Sequence, residues 1–369
     1  MLRQYRDQKP SRRSEQPKKK RLLQKNDPQM IEMRKIRSRW HWGTFRHILL
    51  VFFTLILAVA LAVVLAAGQI FNGPSMTASD LLVKTLTESS ALKFVPYLFM
   101  QDRYVEDALN RNTIETTDAM TDVSLITVRA RDPEPLETGE EAEEELYIET
   151  VVGATYRGYM MVVLDPSRVS VGVCRNPFTN EAGLRVNEII AQYGAVGGIN
   201  GGAFSDPGGQ GNGGKPLGLV YSQGEKLHSP GYGYPVAAAF DENDILHVGD
   251  FTKQEAENLT FRDALAFGPA LIINGEPALV DGGSGLNPRS AIGQRADGAV
   301  LLLTIDGRQA NSLGASYADL IEIMLEYGAV NACNMDGGSS ACMFLNGEQI
   351  NDGLALSGSR RLPTAWIVK

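Results

Sequence analysis

Two carboxylates stand where apolar chain gives way to glycine. Ala299–Ile305 (AVLLLTI) runs into Asp306-Gly307-Arg308, and Ala329–Met335 runs into Asp336-Gly337-Gly338-Ser339-Ser340. By length and composition each run reads as a buried strand. Each Asp therefore emerges from the core at a strand end, where glycine lets the backbone turn sharply and approach a ligand closely. An Asp opening a turn explains either one alone. The same arrangement twice points to paired carboxylates, which suit acid–base work at a sugar carbon. Asp306 and Asp336 are thus the candidate catalytic residues. Arg289 and Arg308 add cations whose planar forks match phosphate oxygens, with a surface ion pair as the alternative for each. Four glycines surround Asn200 in Gly197–Phe204 (GGINGGAF). That pattern lets Asn200 and neighbouring amides, Gly201 included, line a polar pocket; tight sheet packing explains it equally.

Other chemistries find little support. There are three cysteines and four histidines, with no Cys-x-x-Cys pair, and His41 and His47 precede a long apolar segment. His228 and His247 alone cannot build the usual His/Cys zinc site. Gly209–Lys215 matches G-x-x-x-x-G-K, but Pro216 stands where the magnesium-binding hydroxyl belongs. The stretch Asp206–Gly214 reads instead as a flexible loop beside a site. Gly337–Ala341 approaches a nucleophile elbow, yet it ends in Ala and no histidine follows it; Ser339 is left as a hydrogen-bond donor. Cys333 and Cys342 are expected as free buried thiols, with a disulfide as the alternative.

These residues need elements to hold them. Tyr159–Leu164 and Val169–Val173, joined by Asp165-Pro166-Ser167, predict a hairpin. Asn346-Gly347 predicts another. Tyr317, Leu320, Ile321, Met324 and Leu325 recur at helical spacing between a Ser316 N-cap and a Gly328 stop. Thr364–Val368 reads as a last strand. Helices and strands mix without βαβ regularity, so the expected class is α+β, a largely antiparallel or mixed sheet with packed helices.

The charge is uneven. Residues 1–47 hold fifteen Lys/Arg and four Asp/Glu, and the rest hold twenty and thirty-nine. Between them Ile48–Ala67 is twenty residues without a charge, the length that spans a bilayer. The basic side stays cytoplasmic, which predicts a single-pass, uncleaved anchor with the following domain extracellular. A cleaved signal peptide is the alternative. The expected organisation is a basic cytoplasmic tail (1–47), a transmembrane helix (48–70), a helical stalk and acidic linker (71–145) and a globular domain (146–369). The linker holds nine acidic and no basic residues over Asp132–Glu149, too polar to order itself. The net charge of −8 argues against a nucleic-acid partner; the basic tail reads as setting topology and touching anionic lipid.

Gly198–Phe204 (GINGGAF), Phe267–Glu276 (FGPALIINGE), Arg289–Gly293 (RSAIG), Asp306–Arg308 (DGR) and Asn331–Leu345 (NACNMDGGSSACMFL) with Asn346-Gly347 occur in this order. In order and spacing they resemble the phosphodiester glycosidase family across residues 150–369. The resemblance implies a hydrolase that cleaves the glycosidic C1–O bond of a sugar-1-phosphodiester; the lack of His/Cys ligand spacing in the outer domain adds the expectation that no transition-metal cofactor is required. It places Asn200, Arg289, Asp306, Arg308, Asp336 and Ser339 around the pocket, with Gly201 and Gly337 as backbone contacts. For a membrane-anchored surface protein the implied substrate is a cell-envelope or exopolysaccharide phosphodiester. Two other functions fit the residues. One is a non-catalytic binder of anionic envelope polymer. The other is a calcium- or magnesium-dependent enzyme using Asp306, Asp336 and Asp281 as oxygen ligands.

Overall fold

The computed structural model describes residues 28–369 except 90, 112–114, 129–144, 208–210, 230–235, 282 and 353–358. The basic tail before Pro28 and most of the acidic linker lie outside the described residues. The chain divides into two compact units, Met1–Ala66 and Ala67–Lys369. In the first, the described chain belongs to the long helix Pro28–Phe71. This helix is long and apolar enough to cross a membrane by length and composition.

The second unit is α+β. Its main sheet has seven strands in the order Glu276–Pro277, Ala270–Ile273, Ala329–Met335, Arg289–Arg295, Val300–Ile305, Arg157–Val163, Leu146–Val152. A five-stranded sheet runs Glu348–Gln349, Met343–Leu345, Gly197–Asn200, Thr364–Val368, Val169–Val173. Another runs Glu225–His228, Val220–Ser222, Asp263–Ala266, Ala237–Phe240, Leu246–Gly249. Among the described residues every strand pair is antiparallel. One core joins the three sheets, with Met161, Ile292 and Met335 from the first, Ile199 and Trp366 from the second and Phe240 and Leu265 from the third. The indole of Trp366 meets Phe240 edge-on at 5.8 Å and donates to Met335 Sδ at 3.3 Å.

Several elements lie where the residues place them. The helix Tyr317–Glu326 starts on a Ser316–Asp319 capping box, because the Ser hydroxyl satisfies an orphan amide of the first turn. Asn346-Gly347 joins Met343–Leu345 to Glu348–Gln349, both turn residues having positive φ, as a two-residue hairpin requires. The expected hairpin across Asp165 is a correction. Arg157–Val163 belongs to the seven-stranded sheet and Val169–Val173 to a five-stranded one. Asp165 Oδ1 accepts from Ser167 N and Oγ at 2.9 and 2.6 Å and caps a short 3-10 turn. That turn sends the chain across the core instead of back alongside itself.

The segment before the acidic linker is helical, with Met76–Thr87, Pro96–Phe99 and Asp102–Asn110. It is also bound to the sheets. Thr117 N donates to Ala278 O at 2.9 Å, Thr127 N to Ala296 O at 2.8 Å, and Glu115–Thr116 pairs with Leu279–Asp281.

Candidate active site

Three neighbouring strands bring the candidate residues to one end of the main sheet. Arg289 opens its strand opposite Ile305, and Ser290 stands opposite Met335. The antiparallel register therefore sets Arg289, Asp306 and Asp336 at the same sheet edge. A cleft of about 690 Å³ lies there. Its walls include Arg289, Arg308, Asp336, Gly337 and Ser339 from the expected set, with Glu88, Phe204, Asp206, Phe267, Asn287, Tyr317 and Arg360.

Asp336 is the expected carboxylate that lines this cleft. Among the described residues its Oδ2 is shielded and takes no hydrogen bond. Burial pushes its pKa up to about 6 against the pull of a Ser340 hydrogen bond and the Arg360 charge, since a desolvated carboxyl resists ionisation. The following turn is tight. A Cβ on Gly337 would stand 2.6 Å from Pro288 O, and Gly338 has φ +61° with its N–H on Pro288 O at 2.9 Å. The close approach at 337 excludes any side chain, and the left-handed backbone at 338 favours glycine.

Arg308 faces the same space. Its backbone is left-handed, φ +57°, a conformation rare for a long side chain and typical of constrained functional positions. The guanidinium lies 3.7 Å from where a Cβ on Gly338 would stand, and one Nη donates to Asn287 Oδ1 at 2.9 Å. Burial and the neighbouring Arg289 charge lower its pKa, and Glu88 opposes this.

Arg289 is set deeper, 7% exposed. Its Nε donates to Ala315 O at 3.2 Å, and an Nη donates to Glu88 Oε2 at 2.7 Å and Gly285 O at 2.9 Å. Its guanidinium lies 4.4 Å from the Tyr317 ring centroid. Across the cleft Arg360 pairs with Asp206 and lies 4.9 Å over Phe204.

Three expected residues do not line the cleft. Asn200 is fully buried: it holds the loop from beneath, through bonds to Ser290, Cys342 and Asp336. The Gly201 carbonyl accepts the Asp336 N–H at 3.3 Å, so Gly201 also supports the loop. Asp306 is 3% exposed, and its carboxylate accepts from Asn351 Nδ2 at 3.0 Å. The expected carboxylate pair is therefore split. The chain turns at Gly307, so Arg308 reaches the cleft while Asp306 stays against the hairpin that ends near Asn351.

Cys174, Cys333 and Cys342 are buried free thiols, and burial pushes Cys342 up to about 12. Among the described residues no three of His, Cys, Asp and Glu come together in a way that could hold a metal ion; the side chain of Asp281 lies outside them.

Glu88, Asn287, Tyr317 and Arg360 were not expected. Asn287 sits two residues before Arg289, but nothing local marks Glu88 or Arg360. Asp206 had a signal, because the glycine-rich stretch it opens reads as a loop beside a site.

Residues 193–369 match the phosphodiester glycosidase family. The SPbeta prophage-derived uncharacterized protein YomE of Bacillus subtilis (strain 168) is 31% identical over 150 residues, 38% of this chain and 23% of that protein. The N-acetylglucosamine-1-phosphodiester alpha-N-acetylglucosaminidase of Bos taurus is 39% identical over 62 residues, 17% of this chain and 12% of its own length. The chain thus spans less than a quarter of either relative. Among solved structures, the zebrafish N-acetylglucosamine-1-phosphodiester alpha-N-acetylglucosaminidase catalytic domain, auto-inhibited by its pro-peptide, has a TM-score of 0.51 at 20% identity. The match covers 60% of this chain and 81% of that one. At that identity the likeness concerns the fold.

Proposed function

From the premise that residues 193–369 form a phosphodiester glycosidase domain, we propose that the protein hydrolyses a sugar-1-phosphodiester at the C1–O bond. Water adds at C1, the sugar leaves as a hemiacetal, and the phosphate leaves as a monoester. The observation that carries this reading is that Asp336 and Arg308 line one cleft from the ends of the two strands that flank Arg289–Arg295. Phosphate is a good leaving group and needs little protonation, so the barrier lies in an oxocarbenium-like state at C1. Ionised Asp336 stabilises that charge or activates the attacking group. Arg308 stabilises the charge that grows on the leaving phosphate, with Arg289 reinforcing the field from behind. The Ser339 hydroxyl supplies a further donor.

The long apolar helix and the charge step across it support a membrane anchor with the domain outside. The substrate is then a phosphodiester of the cell envelope or exopolysaccharide, reached from the membrane surface. No cofactor is needed in this scheme.

The test is incubation of the full chain in detergent micelles with a UDP-linked sugar, following release of free sugar and UDP. Absence of turnover on UDP-linked and aryl-phosphate-linked sugars alike refutes the reading. A second function, a non-catalytic binder of anionic polymer, is favoured by one observation: Asp306 is turned away from the cleft. Phosphate-dependent polymer binding without turnover would establish it.

A further inference from the structure

Glu88 follows the helix Met76–Thr87 as its C-cap residue. This helix is fastened to the 283–289 loop at several points. Lys84 Nζ donates to Gly283 O, and Leu286 N donates to Thr85 Oγ1 at 3.0 Å. A Cβ on Gly285 would stand 2.3 Å from Thr85 Cα, so glycine alone permits the approach. Three donors then converge on the Glu88 carboxylate: Gly285 N at 2.9 Å, Asn287 Nδ2 at 2.7 Å and Arg289 Nη at 2.7 Å. Asn287 passes the constraint on, because its Oδ1 accepts a hydrogen bond from the Arg308 guanidinium at 2.9 Å.

We propose that Glu88 is a positioning residue of the active site: it locks Asn287 and Arg289 and, through Asn287, aims Arg308 at the substrate phosphate. This rests on the sugar-phosphodiester reading. The carboxylate does not obstruct an open seat, because the groups it binds already belong to the wall. Asn287 and Arg289 are 3% and 7% exposed, and Arg289 also donates to Ala315 O and Gly285 O. What faces the cleft beyond them is Arg308. Glu88 also supplies negative charge that offsets the repulsion between the two guanidinium groups of this wall. The helix Met76–Thr87 thereby belongs to the site, although more than fifty residues separate it in sequence from the first strand of the main sheet.

The experiment uses the full chain in detergent micelles, with Glu88→Gln, Arg308→Lys, the double variant and Thr85→Ala. It reads steady-state hydrolysis of a UDP-linked sugar, calorimetric binding of inorganic phosphate, and Tm. Glu88→Gln should raise KM and weaken phosphate binding by about tenfold, since it exchanges a charge-assisted contact for a neutral one. The double variant should be little worse than Arg308→Lys alone, the coupling expected of residues acting through one chain of contacts. Thr85→Ala removes a helix–loop bond without touching the carboxylate, and should lower Tm while leaving KM unchanged. Equal KM and phosphate affinity in Glu88→Gln and wild type overturn the inference. So does a gain in either, which would show the carboxylate filling the anion seat. A wild type that binds phosphate without turnover, and loses affinity in Glu88→Gln, refutes the hydrolase reading and keeps the positioning role. A wild type with neither property refutes both.

Discussion

Asn200 Nδ2 donates to the backbone carbonyl of Asp336 at 2.6 Å, across 136 positions of sequence. Its Oδ1 accepts from Ser290 Oγ at 2.7 Å and Cys342 N at 3.1 Å. One buried amide thus ties Ser290 of one strand to both ends of the loop from Asp336 to Cys342. Asn200→Ala leaves these partners unpaired and should destabilise the protein by roughly 3 kcal/mol. Asn200→Asp keeps the acceptors and loses the donor, setting a carboxylate against the Asp336 carbonyl, and should also lower Tm. Chemical denaturation checks both; an unchanged midpoint in Asn200→Ala refutes the tie.

The two strand-end carboxylates should part company. Asp336→Asn should lower turnover by at least about a hundredfold, the lower range for one positioned acid–base group, with folding intact. Asp306→Asn should keep turnover per folded molecule within about threefold and show its effect in Tm, because the side chain bonds to Asn351 away from the cleft. Kinetics normalised to folded protein separate the cases. The reverse pattern would move catalysis to Asp306.

Acidity follows from Asp336. Its pKa rises from an ordinary 3.8 to about 6 in the folded chain, so the folded state holds a proton that the unfolded state has released. Ionisation therefore costs stability: the full value is present below about 3.8 and falls as pH rises to about 6. Asp336→Asn should accordingly raise Tm more at pH 7 than at pH 4. Since the ionised form acts, kcat/KM should fall as pH drops through about 6. A pH-independent Tm difference, or activity that climbs on acidification, refutes the assignment.

Metal removal gives a further check. The proposed scheme routes no step through a metal, so dialysis against EDTA should leave turnover unchanged. Loss of all activity, restored by zinc alone, would refute this; restoration by calcium would establish the oxygen-ligand alternative.

Topology is testable on intact cells. External protease should remove an epitope placed at Lys369 and spare one on the basic tail. Protection of the C-terminal epitope with loss of the tail would reverse the orientation.

By itself the sequence determined what depends on neighbours along the chain. The apolar runs Ala329–Met335 and Thr364–Val368 are strands with those ends, because composition and length suffice for a buried strand. The Asn346-Gly347 hairpin and the Ser316 cap are local hydrogen-bond chemistry, and they were legible for that reason. The Asp and Gly residues around 306 and 336 marked the right sheet edge. Tertiary structure decided which of them meets the cleft. Whether Asp306 or Arg308 points inward depends on a single backbone turn at Gly307, and no residue pattern encodes its direction. The Asp165 turn likewise joins two sheets, since pairing partners are chosen by the buried faces of strands far apart in sequence. Glu88 and Arg360 enter the site from opposite ends of the domain. Their roles come from packing between distant segments, where burial and convergent donors turn ordinary charged residues into parts of one wall.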